Sequence, residues 1–330
     1  TLRSTSLRAL PTHRPFFNDP REAGEGFPFD NLQHSTLAAN VPLHVLHLSR
    51  DGNWAFVETT LVYGWMPIQD LAWVDDQFVG NFQQGDFLAF TKDDIPVFDT
   101  NGRFRFLTSV GMLLPVRGSQ SGQHRVLLAA AGIDRQAVLR EGTAPLHGGE
   151  TFPVILSPQN MAALAEGMMG QLYGWGGSFG GRDCSATVRD LFAPFGLWLP
   201  RNSSRQAQVG EVIPLADLPP RQRASRILQQ GVPWLTLVRL PGHIMLYIGQ
   251  YGERAALLHT LWGLRTRTLF GEEGRWIAGR TVITTLEPGQ ERKGMGFAVS
   301  RLLANVESMN ILLPVASSGG TIESNASTAD

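Results

Sequence analysis

The chain has 330 residues, of which 43% are hydrophobic and 17% charged, with a formal net charge of −1. That length exceeds what one core normally serves, so two or three domains are expected, and the charge balance excludes a strong field for nucleic acid or anionic membrane. A single cysteine excludes an intrachain disulfide and a cysteine-rich zinc site, and no apolar run reaches the roughly 20 residues of a membrane span.

Residues 1–35 carry Pro11, Pro15, Pro20 and Pro28, which interrupt helices and strands. Phe16, Phe17, Phe27 and Phe29 make this stretch too apolar for a free tail, so it is expected to be an extended arm lying on another domain. Residues 36–80 read as a small all-β barrel. Short apolar runs (Val41 to Leu48, Trp54 to Val57, Tyr63 to Met66, Leu71 to Val74) alternate with turn residues such as Asp51-Gly52. Residues 81–150 read as a second barrel: Ile95-Pro-Val97 echoes Val41-Pro-Leu43, Asn101-Gly102 marks a hairpin turn, and Arg103 to Leu107 alternates.

A third unit, 151–315, opens with Ser157-Pro158 as N-cap and first helical residue, followed by a stripe of Met161, Leu164, Met168 and Leu172. After a polar connection from Pro200 to Pro220, strands are expected at Val232 to Leu240, His243 to Ile248 and Ala255 to Trp262, giving a helix-first, sheet-second α+β domain. Residues 316–330, rich in Ser, Gly, Ala and Thr, read as a flexible tail.

The chemistry centres on Tyr173-Gly-Trp-Gly-Gly-Ser-Phe-Gly-Gly-Arg-Asp-Cys184-Ser, which holds the only cysteine. Its five glycines permit tight backbone. Val188, Leu191 and Phe192 then begin a helical stripe, so Asp183 stands at the N-cap and Cys184 in the first turn. A thiol there meets unpaired N–H groups and the positive helix end, which favour the thiolate and hence a nucleophile. A lone cysteine is more commonly a small buried hydrophobe, so the assignment needs a base. His243 opens a strand after Pro241-Gly242 and His259 lies on the returning strand, where cross-strand neighbours reach one another. His44 and His47 face opposite sides of a strand, and His13, His34, His124 and His147 sit in loop-like surroundings. With no HExxH, a zinc hydrolase is disfavoured.

With these residues in place, the chain resembles the NlpC-type peptidoglycan cysteine peptidases of the papain-like group. The likeness rests on Tyr173-Gly-Trp-Gly-Gly177, Asp183-Cys-Ser185, Leu199-Pro-Arg-Asn-Ser203-Ser-Arg-Gln206, Gly242-His-Ile-Met-Leu-Tyr-Ile-Gly249 and His259. The front half resembles the tandem SH3-like modules that accompany some of these enzymes, through Trp54 to Val57, Gly64-Trp65, Asp94 to Phe98 and Leu113-Leu-Pro115. The resemblance implies a papain-like α+β domain behind two SH3-like barrels, at 36–80 and 81–150. It implies Cys184 as nucleophile, His243 as base and His259 as polar third member, with Tyr173, Asp183, Ser185, Ser203 and Trp175 at the substrate. Ala186 stands where glycine commonly follows, and the turn between the two histidines is longer than usual.

The implied reaction is cleavage of the amide between γ-D-glutamate and a diamino acid, diaminopimelate, in murein stem peptides or fragments. In relatives with attached modules, the first module closes the cleft and a free N-terminal L-alanine is favoured. Glu58, Tyr63 or Trp65 could form that wall, and Asp183 could either cap its helix or pair with the amine. Two alternatives stand: a wall-binding protein with an idle hydrolase domain, and a papain-like amidase or acyltransferase on another γ-glutamyl or lipid substrate. Neither a metal nor an organic cofactor is implied. A monomer is expected, in the cell envelope or periplasm or secreted, with the cytoplasm as the alternative, since a start at Thr1 rather than Met leaves room for a removed signal.

Overall fold

The computed structural model describes residues 1–22, 24–268, 273–289, 297–299 and 302–313. The expected tail at 316–330 lies outside the described residues.

Two small β-rich modules precede an α+β unit. The first is a sheet of β1 (Thr5–Arg8), β2 (Gln33–Leu37), β3 (His44–Leu48), β4 (Trp54–Glu58) and β5 (Tyr63–Pro67), in the order β2-β1-β5-β4-β3. Leu7, Leu37, Ala55, Val57, Met66 and Leu71 form its core. Two of these strands come from the stretch expected to be an arm. Each is only four or five residues long, and each is held by pairing with the other, Thr5 to Leu37 and Leu7 to Ser35. The rest of that stretch does run over another domain, as described below.

A short helix, α1 (Asp76–Phe82), follows, a feature not anticipated from the strand-like composition around it. Asp75 caps it by accepting the Phe78 N–H, and Phe78 stacks on Phe82 at 5.8 Å. The second module contains β6 (Phe87–Phe90), β7 (Pro96–Asp99), β8 (Phe104–Leu107), β9 (Leu113–Gln120), β10 (Gln123–Ala131), β11 (Ala137–Pro145) and β12 (Gly149–Thr151), ordered β12-β6-β9-β10-β11-β7-β8.

The third unit starts with α2 (Pro158–Met168), where the Ser157 hydroxyl accepts the Asn160 N–H at 3.2 Å and Met161, Leu164, Ala165 and Met168 are buried. It continues with α3 (Cys184–Phe192), α4 (Ser203–Gln206), β13 (Glu211–Pro214), α5 (Pro220–Gln230), β14 (Thr236–Leu240), β15 (His243–Tyr251), β16 (Arg254–Thr268), β17 (Glu273–Thr284), β18 (Phe297–Val299) and β19 (Ser308–Ile311). The sheet runs β13-β19-β14-β15-β16-β17, so the last strand returns between two earlier ones. The helix α5 occupies part of what reads as a polar connection. Its apolar stripe is thin, with Ile227 its only fully buried residue.

Two apolar clusters form the interior of this unit. One joins α2 and α3 to the sheet through Met161, Met168, Val188, Leu191, Phe192, Leu237, Ile244, Leu246 and Leu258. The other packs α5 on the sheet through Ile227, Val238, Met245, Tyr247 and Leu257. The first cluster fixes the start of α3 against β15 and β16.

Candidate active site

Asp183 ends the glycine-rich turn with extended backbone, and its carboxylate accepts the Ala186 N–H at 2.9 Å, so it caps α3 as the sequence indicates. The carboxylate also accepts from the Gly176 N–H at 3.1 Å and the Ser185 hydroxyl at 3.0 Å. Arg201 completes the set, with Nη2 at 2.5 Å and Nη1 at 3.2 Å from the two carboxylate oxygens. The same guanidinium donates to the Ser185 hydroxyl at 2.9 Å and to the Ser35 hydroxyl of β2 at 3.0 Å. Asp183, Ser185 and Arg201 are each about 5% exposed, and the pairing with Arg201 holds the Asp183 carboxyl below its ordinary range.

Cys184 is 8% exposed at the start of α3. Cys184 and Ile244, the residue after His243, share one apolar cluster, so the helix start and the strand start pack together. The thiol is pushed up to about 12, chiefly by burial and then by the Asp183 charge, while the Ile244 and Ser185 N–H groups and Arg201 pull it back only partly. The resting thiolate expected from the helix end is therefore not what the environment favours. A helix terminus contributes a fraction of a charge, and here a full carboxylate and a dry surrounding outweigh it.

His243 Nε2 lies 2.7 Å from His259 Nδ1, and His259 Nε2 lies 3.0 Å from the Thr284 hydroxyl. The register of β15 on β16 pairs Leu246 with Leu258, which extended by one residue sets Met245 opposite His259 and His243 on the diagonal. Across β17, His259 is opposite Val282, with Thr284 on the other diagonal. His259 is fully buried, and burial lowers both imidazoles, His243 to about 4 and His259 well below its ordinary value. Both rings are neutral at pH 7.

Tyr173 is half-buried and its phenol is held well above its ordinary range by burial and by the neighbouring Asp183 and Cys184. Trp175 is turned toward the N-terminal segment. Its indole N–H donates to the Asp30 carbonyl at 3.1 Å, and its ring meets Phe29 edge-on at 5.3 Å. Ser203 begins α4, where its carbonyl accepts the Ala207 N–H.

The NlpC/P60 family model matches residues 170–268, an SH3 domain of SH3b1 type matches 15–67, and one of SH3b2 type matches 75–120. The chain carries an NlpC/P60 domain behind two SH3 domains. An NlpC/P60 endopeptidase from Photobacterium damselae subsp. piscicida is similar over 94% of this chain and 72% of its own, at 27% identity and a TM-score of 0.82. An NlpC/P60 family protein from Bacillus cereus ATCC 10987 shares the fold over 94% of this chain and all of its own, at 15% identity and a TM-score of 0.62. No curated protein matches the chain.

The first SH3 domain is built onto the turn that leads to Cys184 in the NlpC/P60 domain. Gln33 Nε2 donates to the Gly176 carbonyl at 3.0 Å and the Thr36 hydroxyl to the Gly177 carbonyl at 3.0 Å. Gly177 takes φ +84°, and a Cβ there would stand 2.6 Å from Thr36 Oγ1, so both backbone and space require glycine. Phe27 and Phe29 pack on Trp262 at 6.0 and 6.3 Å, and Tyr173 meets Trp262 at 5.7 Å. Of the three residues expected at a wall, Tyr63 donates to Glu58 at 3.0 Å on an exposed face, whereas Trp65 is half-buried against Phe56 of its own domain at 5.3 Å.

The second SH3 domain is attached through Asp93, which accepts from Arg182 Nη1 and Nη2 at 2.8 and 2.7 Å, while Arg182 Nε donates to Asp190 at 2.7 Å. Arg201 and Thr284 are the site residues that sequence reasoning did not single out. Arg201 stands inside the Leu199-Pro-Arg-Asn-Ser203 run, so its position in that run was the available signal. No signal in the sequence points to Thr284.

Among the described residues no group of three or more His, Cys, Asp and Glu is arranged to hold a metal, and no helix is long and apolar enough to cross a membrane.

Proposed function

We propose that this protein is a cysteine endopeptidase of the bacterial cell wall that cleaves the γ-D-glutamyl–diaminopimelate amide of murein stem peptides. The observation that carries the reading is the hydrogen-bonded pair His243–His259, on strands that pack against the start of α3 where Cys184 lies. Cys184 is the nucleophile, His243 the general base and His259 the group that orients it. Because both thiol and imidazole rest neutral, the proton moves as the sulfur attacks: His243 accepts the thiol proton while the γ-glutamyl carbonyl becomes tetrahedral. The backbone N–H of Cys184, at the helix start, is the proposed donor to the oxyanion. The His243 imidazolium then protonates the leaving amine, and water releases the acyl group from sulfur. Tyr173, Asp183, Ser185, Ser203 and Trp175 border the acyl side in this reading. In this reading the enzyme works in the cell envelope or is secreted.

Selection of a free N-terminal L-alanine is the finer part of the proposal. Asp183, next to Cys184 in the chain, already carries Arg201, so an incoming amine shares it instead of neutralising it alone. Mass spectrometry of L-Ala-γ-D-Glu-diaminopimelate with the wild type and Cys184→Ala tests the reaction, and an N-acetylated copy tests the amine. Cleavage at the γ-glutamyl bond by the wild type alone is expected, with the acetylated copy cut more slowly. No cleavage of either peptide under reducing conditions refutes the substrate, and equal cleavage refutes selection of the amine.

A further inference from the structure

The pair His243–His259 works as a base only if its protons sit on particular nitrogens, and distance alone does not say which. The Thr284 hydroxyl settles the matter. It lies 3.0 Å from His259 Nε2 and donates its own proton to the Thr285 carbonyl at 2.9 Å. A hydroxyl whose one proton is committed to a carbonyl can only accept from the ring. His259 therefore carries its proton on Nε2, and its Nδ1 is a lone pair. That lone pair accepts from His243 Nε2, 2.7 Å away, which leaves His243 Nδ1 unprotonated and basic. The opposite order would require Thr284 to release the carbonyl and donate to His259, with His243 then protonated on Nδ1.

We infer that Thr284 is a positioning residue, the terminal acceptor of a hydrogen-bond relay that fixes the tautomers of His259 and His243 and leaves Nδ1 of His243 to receive the proton of Cys184. The inference rests on the assignment of His243 as the base. The three residues lie on adjacent strands, on successive diagonals of one sheet, so the relay is set by register rather than by a loop. Thr284 is half-buried and the His259 ring fully so, which limits the water available to substitute for the hydroxyl.

The test compares Thr284→Val, which keeps the shape and removes the acceptor, with Thr284→Ser, which keeps the acceptor. Long-range proton–nitrogen NMR of the 15N-histidine-labelled full chain at pH 7 reads the tautomers directly. Wild type and Thr284→Ser are expected to show Nε2–H forms for both rings. In Thr284→Val the His259 signal is expected to move toward the Nδ1–H form, with kcat on the tripeptide lowered about tenfold and KM within twofold. A valine variant with wild-type tautomers and kcat overturns the inference, as does a wild type with His259 protonated on Nδ1. A role in folding alone would lower stability without moving the nitrogen shifts, and would equally overturn it. If the wild type does not cut the tripeptide, the proposed function fails while the nitrogen shifts still decide the relay.

Discussion

Arg201→Met removes the one cation bonded to Asp183 among the described residues, and the structure sets the size of the effect. The guanidinium gives Asp183 bonds at 2.5 and 3.2 Å, and both side chains are under 10% exposed. Breaking such a buried pair from one side costs about 3–5 kcal/mol, because the remaining charge stays buried without its partner. Three donors remain on the carboxylate, from Gly176, Ser185 and Ala186, which places the expected loss near the lower end, about 3 kcal/mol in urea unfolding of the full chain at pH 7. The same change reaches the thiol. Asp183 raises the Cys184 thiol and Arg201 lowers it, so alkylation by iodoacetamide at pH 8 is expected to slow in Arg201→Met and to quicken in Asp183→Asn. The double variant, with both charges gone, should recover part of the lost stability. A loss below about 1 kcal/mol, the range of exposed pairs, together with unchanged alkylation, would refute this account of the site's charge balance.

Acid should destabilise the fold through the two imidazoles. The folded His243 is held to about 4 against 6.5 for a free ring, so between those pH values the unfolded chain takes up a proton that the native state refuses. Stability is then fully present above pH 6.5 and falls toward pH 4, by about 3 kcal/mol from His243, with His259 acting in the same direction. Urea midpoints across that window should show the loss, and His243→Gln should flatten it; an identical pH slope in the variant counts against the assignment. Gly177→Ala places a Cβ at 2.6 Å from Thr36 Oγ1 on a backbone of φ +84°, so it should loosen the first SH3 domain from the turn before Cys184, read as faster amide exchange at Gln33 to Leu37. Unchanged exchange there would show that the contact gives way easily. Asp93→Ala should cost about 3–5 kcal/mol by uncovering Arg182, which is 8% exposed. Less than 1 kcal/mol would mean that Asp190 and the Gln171 side-chain carbonyl oxygen suffice for it.

The sequence made the third unit legible because its signals are local. Ser157-Pro158 and Asp183-Cys184 each name a helix start, and both caps form as their side chains dictate. Strands with turn residues between them were equally readable, from Trp54 to Val57 and from His243 to Ile248. Strands β1 and β2 are not, because four or five residues carry no period of their own and become strands only by pairing with each other and with β5. Helix α5 was missed for a related reason: one buried residue, Ile227, does not make a stripe. At the site, Cys184, His243 and His259 were readable as residue types in a motif, but Arg201 and Thr284 act through partners distant in sequence, Asp183 and His259. A helix end is visible in a sequence, and the burial that raises the Cys184 thiol is not.

The neutral thiol bears on how the proposed chemistry would start. A thiolate–imidazolium pair at rest needs the thiol below the imidazole, and here the order is reversed, about 12 against about 4. The inversion comes mostly from burial, and burial acts on each group separately. Anything that brings polar atoms to the sulfur without adding negative charge therefore narrows the gap from the side of the thiol. A peptide amide entering beside Cys184 is such a group: it supplies a dipole to the sulfur and a carbonyl to receive the electron pair as the proton leaves. The first SH3 domain belongs to the same argument, because Gln33, Ser35 and Thr36 hold the turn and Arg201 by side-chain bonds, and so fix how much water reaches Asp183. On this view the charge needed for attack arises only when substrate is present, and the neutral resting site is the state that two docked domains keep dry.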